Sequence, residues 1–327
     1  MDDAPVSAAE AMPVPAVWIA REPECAWCPA SLNGSLDAGL VARCAAEPML
    51  LAQSHAAWQL LGASVRGRSH GHRAAHRDDA MAVHADGELL VLAVADGAGS
   101  SALSRIGAAV VAEMAVMQTA VRFTADATEA SEATEAADAS TAARLGTAMA
   151  HAVHDAAVQL HALATVAEVS PVALRTTLIL VAVLGDLMLV SQVGDGAVLV
   201  QKRDGHVVRV GAQRESAWAG EVTCFVPDAC AMTQAAELRQ VDASDVQLIA
   251  LMTDGVDDPF HPLEQSGGAL VAQWRTGTDT PIGTAKQPSC GPVLDGVDAL
   301  LQWMAFEQRG EVDDRTLLLA WRPENLQ

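Results

Sequence analysis

Basic residues are scarce in this sequence, and their shortage limits what the protein binds. The 20 lysines and arginines face 41 aspartates and glutamates, which gives the 327 residues a net charge of −21. Nucleic-acid binding normally needs a basic surface that releases counterions from the phosphate backbone. Anionic membrane surfaces are disfavoured by the same sign of charge. We therefore expect neither nucleic acid nor membrane as a partner.

The sequence also lacks the apolar segments that direct proteins to membranes. The first residues, MDDAPVSAAEAM, do not have the positive start and apolar stretch of a secretion signal. The best apolar run, residues 178–184, ends at Gly185 and Asp186 and is far shorter than the ~20 residues that span a bilayer. We expect a soluble, cytoplasmic protein.

The cysteines are too few and too scattered for a small disulfide-stapled scaffold. They are Cys25, Cys28, Cys44, Cys224, Cys230 and Cys290. The Cys25/Cys28 pair forms a CxxC, which leaves open a zinc site with Cys44 and His55 or a redox pair. No second CxxC follows, so we expect ordinary reduced thiols.

The composition changes near residue 58 and divides the sequence into two parts. Residues 1–57 carry many prolines and little strand periodicity, which predicts an N-terminal extension whose role is unknown. Residues 58–327 predict a single globular domain, interrupted at about 124–147 by a low-complexity Ala/Glu/Thr insertion. Composition leaves open whether that insertion is a solvated helix or disordered.

The order of the predicted elements favours an α+β sandwich. Apolar strands are predicted at 89–95, 176–184 and 187–193, and turns such as Gly185-Asp186 join neighbouring strands into hairpins. Strands and helices are segregated along the chain rather than alternating. That order excludes a simple doubly wound Rossmann fold.

Four distant segments each place an aspartate at the end of a predicted strand. These residues are Asp79, Asp96, Asp254 and Asp313. Strand ends from distant segments converge on one rim of a sandwich, where crowded carboxylates repel one another and need a cation. Ligands that offer only oxygen select hard ions such as Mg²⁺ or Mn²⁺. The alternative is that each Asp-Gly pair is a plain turn, which is the commonest use of that dipeptide.

Two such ions ~3.5–4 Å apart would activate a water and hold a phosphoryl oxygen, which suits the hydrolysis of phosphate esters. The sequence has no GxSxG elbow, no cysteine followed by a phosphate-cradling arginine loop, and no GxxxxGK[ST] loop. The chemistry therefore has to rely on carboxylates, cations and water.

Several motifs, in order along residues 58–321, resemble the metal-dependent protein phosphatase 2C family, particularly its bacterial branch. They are GRSH (67–70), RDDA (77–80), VADGAGS (94–100), RTTLILVAV (175–183), VGDGAVLV (193–200), LMTDGVDD (251–258) and DDRTLLLA (313–320). The resemblance implies an αββα sandwich, in which helices flank two central antiparallel sheets. It also implies a pair of Mn²⁺ or Mg²⁺ ions at one end.

By position, the resemblance implies that Asp96 bridges both ions and that Gly97 gives its carbonyl oxygen to one. Asp254 and Asp313 would ligate the other ion. Asp79 would act mainly through metal-bound water. The acidic rim also leaves open a third, more weakly bound metal, for which the sequence identifies no ligand.

Other positions of the resemblance are less regular. Asp78 replaces the more usual Glu or Gln, and Asp314 replaces Asn. Both are expected to contact the metal-ligating residues rather than the metal itself. Asp195, in VGDG rather than the commoner GDS, is interpreted as a turn-forming residue. Ala98 stands where many members have a histidine that is a candidate general acid. Glu221 is expected to help to fold a flap beside the site.

A phosphate-binding arginine is expected shortly before Asp79. Arg68 and Arg73 both lie in the right stretch, and His70 is a candidate proton donor or phosphate contact. The spacing of His70, His72 and His76 fits no standard zinc set, which favours a polar, phosphate-facing loop.

The sequence thus predicts a hydrolase that removes phosphate from phosphoserine or phosphothreonine on proteins by a metal-activated water, without a phosphoenzyme. Its partners would be a phosphorylated protein and a cognate serine/threonine kinase. The main alternative is a catalytically silent pseudophosphatase that binds a phosphoprotein or partner. A further alternative is an acidic scaffold whose Asp-Gly turns are incidental.

Overall fold

The computed structural model of the chain describes residues 27–32, 34–129, 137–211, 224–277 and 281–323. Two sites predicted from the sequence fall wholly or partly beyond these residues. Cys25 of the CxxC pair and Glu221 of the flap both lie outside them, and the side chain of Cys44 is not described. The zinc or redox site and the flap therefore stay predictions.

Eleven strands form two antiparallel sheets in the described part of the chain. The strands are β1 (Met49–His55), β2 (Trp58–Val65), β3 (Ala80–Asp86), β4 (Leu89–Ala95), β5 (Leu178–Leu184), β6 (Leu187–Val193), β7 (Ala197–Lys202), β8 (Val207–Val210), β9 (Arg239–Asp242), β10 (Val246–Met252) and β11 (Arg315–Trp321). One sheet has the order β1-β2-β11-β10-β7-β8, and the other has the order β3-β4-β5-β6-β9. The last strand thus lies in the middle of the six-stranded sheet, beside one of the first.

Helices cover the outer faces of both sheets. They are α1 (Ala38–Ala45), α2 (Arg68–Arg73), α3 (Ser104–Glu129), α4 (Ala137–Val166), α5 (Cys230–Ala236), α6 (Asp254–Asp257), α7 (Leu263–Thr276) and α8 (Val297–Met304), with short 3₁₀ turns at Ala30–Leu32, Pro171–Leu174, Asp258–Phe260 and Val293–Asp295. Long helices α3 and α4 pack on the five-stranded sheet, and α7 and α8 pack on the other. The predicted αββα sandwich is confirmed.

The apolar runs in the central strands follow from burial on both faces. In β4, Leu90 and Leu92 point into the core between the two sheets, whereas Val91 and Ala93 point into the core beneath α3. A strand that is covered on both sides needs no polar alternation, so the whole of β4 is buried. This continuous apolar pattern is what made the strand recognisable in the sequence.

The predicted N-terminal extension contributes to the folded structure. Residues 49–55, before the predicted domain start at 58, form β1 and pair with β2 along their whole length. The predicted insertion at about 124–147 is helical where it is described, because α3 continues to Glu129 and α4 begins at Ala137.

One helical stretch, Ser104–Ala125, is long and apolar enough by length and composition alone to cross a membrane. It has a mean hydropathy of 1.4, and 61% of the window is buried inside the protein. The sequence did not predict such a segment, because this alanine-rich stretch is not an uninterrupted apolar run. Its buried residues form part of the core over the five-stranded sheet.

The structure corrects the expectation of reduced thiols at two positions. Cys224 and Cys230 form a disulfide, with Cα atoms 6.0 Å apart. Their spacing along the chain gave no sign of this, because the contact depends on how the chain turns into α5. Cys28 is buried and is not part of a disulfide.

Candidate metal centre

Three carboxylates meet at one end of the sandwich. Asp96 follows β4, Asp195 lies in the turn between β6 and β7, and Asp254 begins α6 directly after β10. One oxygen from each of the three lies within 4.8 Å of the others. The group therefore draws on both sheets, because β4 and β6 belong to one and β7 and β10 to the other.

Asp195 lies in a turn, as predicted, and its carboxylate also joins this group, so its role as a metal ligand stays a prediction. The glycines on both sides, Gly194 and Gly196, have positive φ values of 84° and 89°. Glycines with positive φ on either side of Asp195 allow a tight turn that few other sequences could adopt. The turn carries the Asp195 carboxylate into the group, so the VGDG motif itself was the missed signal.

The other two predicted ligands lie near this group. Asp79 is buried, and its charge contributes to the raised pKa of both Asp96 and Asp254. The charge of Asp313 contributes to the same two shifts. The structure thus brings all four predicted aspartates into one electrostatic neighbourhood. Which of them ligate a metal stays a prediction.

Burial and mutual repulsion disfavour the charged forms of these carboxylates. The pKa of Asp96 and that of Asp254 are raised well above the usual range, first by burial and then by neighbouring aspartates. Burial and the charge of Asp314 raise the pKa of Asp79 to about 7. The pKa of Asp313 is raised by the same two causes. Crowded oxygen ligands of this kind fit hard divalent cations, which would offset the repulsion.

A chain of hydrogen bonds fixes the carboxylate of Asp79. Arg77 Nε donates to Ser64 Oγ (3.0 Å), Ser64 donates to Thr316 Oγ1 (2.7 Å), and Thr316 donates to Asp79 Oδ2 (2.8 Å). Thr253 Oγ1 donates to the same oxygen at 2.8 Å. One oxygen of Asp79 is therefore occupied by two hydroxyl donors, which favour the charged form and hold the group in one orientation.

Asp314 ties together the backbone around the site. Its Oδ1 accepts from the backbone N–H of Gly67 at 2.6 Å, and its Oδ2 accepts from that of Asp78 at 2.5 Å. His70 Nδ1 lies 2.8 Å from both oxygens, and His70 Nε2 lies 3.6 Å from Asp78 Oδ2. Asp78 also accepts from Ser104 Oγ at 3.1 Å. Asp78 and Asp314 thus connect segments that carry predicted ligands.

The three predicted phosphate contacts have protein partners in the structure. Arg68 pairs with Glu307 at 2.9 Å, and Arg73 donates to Ser69 Oγ at 2.9 Å within α2. Burial alone would lower the pKa of His70, but its hydrogen bond to Asp314 and nearby carboxylate charges raise it to about 9. Their contact with a phosphate stays a prediction.

Close backbone contacts explain why a glycine follows Asp96. A Cβ at Gly97 would lie 2.7 Å from the carbonyl oxygen of Asp78, closer than real Cβ atoms approach other atoms. The backbone of Asp96 is held from the other side. Its carbonyl accepts from Thr177 N and Thr176 Oγ1, both at 2.8 Å, and its N–H donates to Thr177 Oγ1 at 3.0 Å. These contacts account for the two threonines of the RTT motif.

Comparison with known proteins agrees with this geometry. The family model described as protein phosphatase 2C matches residues 66–286, about two thirds of the chain. No curated protein matches. Among solved structures, serine-threonine phosphatase 2C from Toxoplasma gondii is 11% identical, with a TM-score of 0.61 over 84% of this chain and 99% of that one.

Two bacterial structures are also similar. A bacterial serine phosphatase is 14% identical, with a TM-score of 0.54 over 82% of this chain and 99% of that one. The serine/threonine phosphatase Stp1 from Staphylococcus aureus is 16% identical, with a TM-score of 0.52 over 84% of this chain and 98% of that one. At these identities the structures show a shared fold, whereas the family model matches the sequence itself. The chain belongs to the protein phosphatase 2C family of serine/threonine phosphatases.

Proposed function

We propose that this protein hydrolyses phosphoserine and phosphothreonine on protein substrates with the help of two divalent cations, Mn²⁺ or Mg²⁺. The residues that would hold the cations are Asp79, Asp96, Gly97, Asp254 and Asp313, and we add Asp195 to them. The protein would act in the cytoplasm, opposite a cognate serine/threonine kinase.

The observation that carries the proposal is the meeting of Asp96, Asp195 and Asp254 within 4.8 Å. Holding three half-buried carboxylates so close together costs free energy unless a cation compensates their charge. Proteins keep such arrangements where the cation has a use. Bound divalent cations would supply an activated water and would offset the charge that develops on the phosphoryl group.

The residues around the group would keep it in place for this chemistry. Thr253 and Thr316 orient Asp79 through its Oδ2, which leaves Oδ1 for a water or a cation. Asp314 fixes the backbone of Asp78, directly before Asp79. Preorganised groups of this kind need no rearrangement during the reaction, which is a large part of enzymatic rate enhancement.

A catalytically silent, phosphoprotein-binding pseudophosphatase is the second candidate. Ala98, in place of the histidine that many family members have, favours it, because no side chain at that position can protonate the leaving group. The retention of Asp79, Asp96, Asp254 and Asp313 favours the enzyme, because a silent binder does not need all four carboxylates.

The test is phosphate release from p-nitrophenyl phosphate and from a phosphothreonine peptide, with Mn²⁺ and with EDTA. We expect turnover with Mn²⁺ that EDTA abolishes and that Asp96→Asn and Asp254→Asn each reduce at least about 100-fold. Asp86→Asn is the matched control, since Asp86 also precedes a glycine but is exposed at the end of β3.

Separate outcomes would contradict the metal mechanism and the catalytic activity. Turnover that survives EDTA, or that persists in both variants, would refute the metal mechanism. A folded protein that binds the phosphopeptide but releases no phosphate at any Mn²⁺ concentration would establish the silent module instead.

A further inference from the structure

A cleft of about 650 Å³ runs along one face of α7. The residues of α7 that line it include Gln265, Ala269, Ala272 and Thr276, whose spacing of three to four places them on one side of the helix. From Gln265 to Thr276 the helix rises about 17 Å, which is the length of about five residues of extended peptide. The cleft is thus long enough for a stretch of polypeptide.

The cleft begins beside the candidate metal centre. Asp258, which lines it, follows Asp254 by four residues of continuous helical backbone, so the two lie about one helical turn apart. The charge of Asp258 contributes to the raised pKa of Asp254 and of Glu311, consistent with this closeness. A phosphorylated residue at the metal centre would therefore have its neighbours in the chain within reach of the cleft.

The lining combines apolar walls with groups that accept hydrogen bonds. Pro259 and Phe260 contribute apolar surface near Asp258, and the alanines of α7 continue it. Among the described residues that line the cleft, none is a lysine or an arginine. Gln308 also lines the cleft, and its Oε1 is buried without a hydrogen-bond partner among the described residues, so the side chain has to rotate to present this oxygen to a ligand. A buried acceptor without a donor is costly, so a ligand that donates there would be favoured.

A ligand that suits this lining has a positive charge, several N–H donors and an aliphatic stem. Lysine and arginine side chains have all three: they only donate, and their stems cover apolar surface while the charged head reaches a polar group. The net charge of −21 also attracts basic peptides.

We propose that the α7 cleft is a specificity subsite that binds a lysine or arginine side chain of the phosphoprotein substrate, within about five residues of the phosphorylated one. The charged head would lie between the Asp258 carboxylate and Gln308 Oε1, and the stem would lie along α7. This inference rests on the proposed phosphatase function, whose substrate it narrows to basic phosphorylated sequences.

The test compares phosphothreonine peptides that differ at one position. In each pair, a single residue within five positions of the phosphothreonine is either lysine or its uncharged isostere norleucine. With the full chain and Mn²⁺, we expect kcat/KM to be about tenfold higher for lysine at one or two positions on one side of the phosphothreonine. Hydrogen bonds to charged groups are strong enough for such a preference.

Variants locate the preference in the cleft. Asp258→Asn and Gln308→Leu should each reduce the ratio of the lysine to the norleucine rate to below about threefold, and Ala272→Phe should do so by filling the space. Glu264→Gln is the matched control, because Glu264 is an exposed carboxylate of α7 that does not line the cleft. It should keep the full preference.

Failure of this proposal is distinguishable from failure of the phosphatase function. Equal rates for lysine and norleucine at every position, with p-nitrophenyl phosphate hydrolysed normally, would overturn the subsite alone. If nothing is hydrolysed, anisotropy with fluorescein-labelled versions of the same peptides measures the preference as a ratio of Kd values. Equal Kd values, or a preference that Glu264→Gln removes and Gln308→Leu does not, would also overturn it.

Discussion

The carboxylate of Asp314 accepts a hydrogen bond of 2.5 Å from the backbone N–H of Asp78, 236 residues earlier in the chain. Its other oxygen accepts from the backbone N–H of Gly67 at 2.6 Å. One side chain next to β11 therefore positions the segment that leads to Asp79. The arrangement uses both carboxylate oxygens, and an amide has only one acceptor.

We predict that Asp314→Asn lowers the free energy of unfolding by about 1.5–3 kcal/mol, the usual contribution of a hydrogen bond to a charged group. The amide nitrogen would face one of the two backbone N–H groups, which it cannot satisfy. Urea unfolding followed by circular dichroism measures the change. Glu88→Gln, at an exposed position in the β3–β4 turn, is the control and should change stability by less than about 0.5 kcal/mol. An unchanged free energy of unfolding in Asp314→Asn would contradict the role of Asp314 in holding these backbone segments.

A second prediction concerns the contact between Gly255 and Asp314. A Cβ at Gly255 would overlap the carbonyl oxygen of Asp314, which is backbone and cannot move aside. We expect Gly255→Ala to destabilise the fold by about 2 kcal/mol or more and to separate Asp254 from Asp313. Calorimetric melting measures the first effect, and Mn²⁺ affinity measures the second.

The control for this change is Gly268→Ala. Gly268 lies inside α7, and a Cβ there meets no atom within 4 Å among the described residues. Replacing a helical glycine at an open position should stabilise the protein by about 0.5–1 kcal/mol. Equal effects of the two substitutions would show that the close contact has no consequence.

A third prediction separates the two interpretations of Asp195. If its carboxylate serves the metal centre, Asp195→Asn should weaken Mn²⁺ binding at least about tenfold while the fold remains intact. Isothermal titration calorimetry measures the affinity. Asp186→Asn, in the turn between β5 and β6, is the control and should bind Mn²⁺ as the unchanged protein does. Identical affinities for both variants would restore Asp195 to a purely structural role.

A fourth prediction is the pH dependence of the metal-free protein. In the folded state the pKa of Asp79 is about 7, above its ordinary 3.8, because of burial first and the charge of Asp314 second. The folded state therefore holds this proton more tightly than the unfolded state. Its contribution to stability is complete below about pH 4 and is lost as the pH rises through 7.

In EDTA, the melting temperature should therefore fall between pH 5 and pH 8. Mn²⁺ at pH 8 should restore it, because a cation that binds only the folded state stabilises it. Asp79→Asn removes one titrating group and should show a shallower fall. A melting temperature in EDTA that is constant or that rises from pH 5 to pH 8 would contradict the picture of repelling carboxylates.

The sequence was sufficient to predict elements whose signal is local. Strands β4, β5 and β6 lie where the apolar runs and the Gly185-Asp186 turn placed them, although β5 begins two residues later than predicted. The sequence did not predict helix α7, because Gly267 and Gly268 interrupt its apolar pattern. In the folded protein, tertiary packing stabilises the helix by burying Leu270 and Trp274. Helix α2 was expected as a polar loop, since its six residues contain no apolar side chain.

The candidate site divides in the same way. The four aspartates at strand ends were found because each follows or precedes an apolar run. The motifs that carry them also occur in the same order as in the protein phosphatase 2C family, which indicated a common site. Asp195 could not be told from an ordinary turn, since its neighbours at the site belong to strands distant in the sequence. The contacts of Asp314 likewise join segments distant in the sequence, and the Cys224–Cys230 disulfide depends on how the chain turns into α5.

The proposal of a two-cation centre is tested most directly by the number of Mn²⁺ ions that each chain binds. Equilibrium dialysis with metal analysis of the purified protein measures this number. We predict two tightly bound ions per chain, fewer in Asp96→Asn, and phosphate release that rises in step with occupancy. A folded protein that binds no Mn²⁺, or that releases phosphate equally well without it, would contradict the proposal that two cations activate the attacking water.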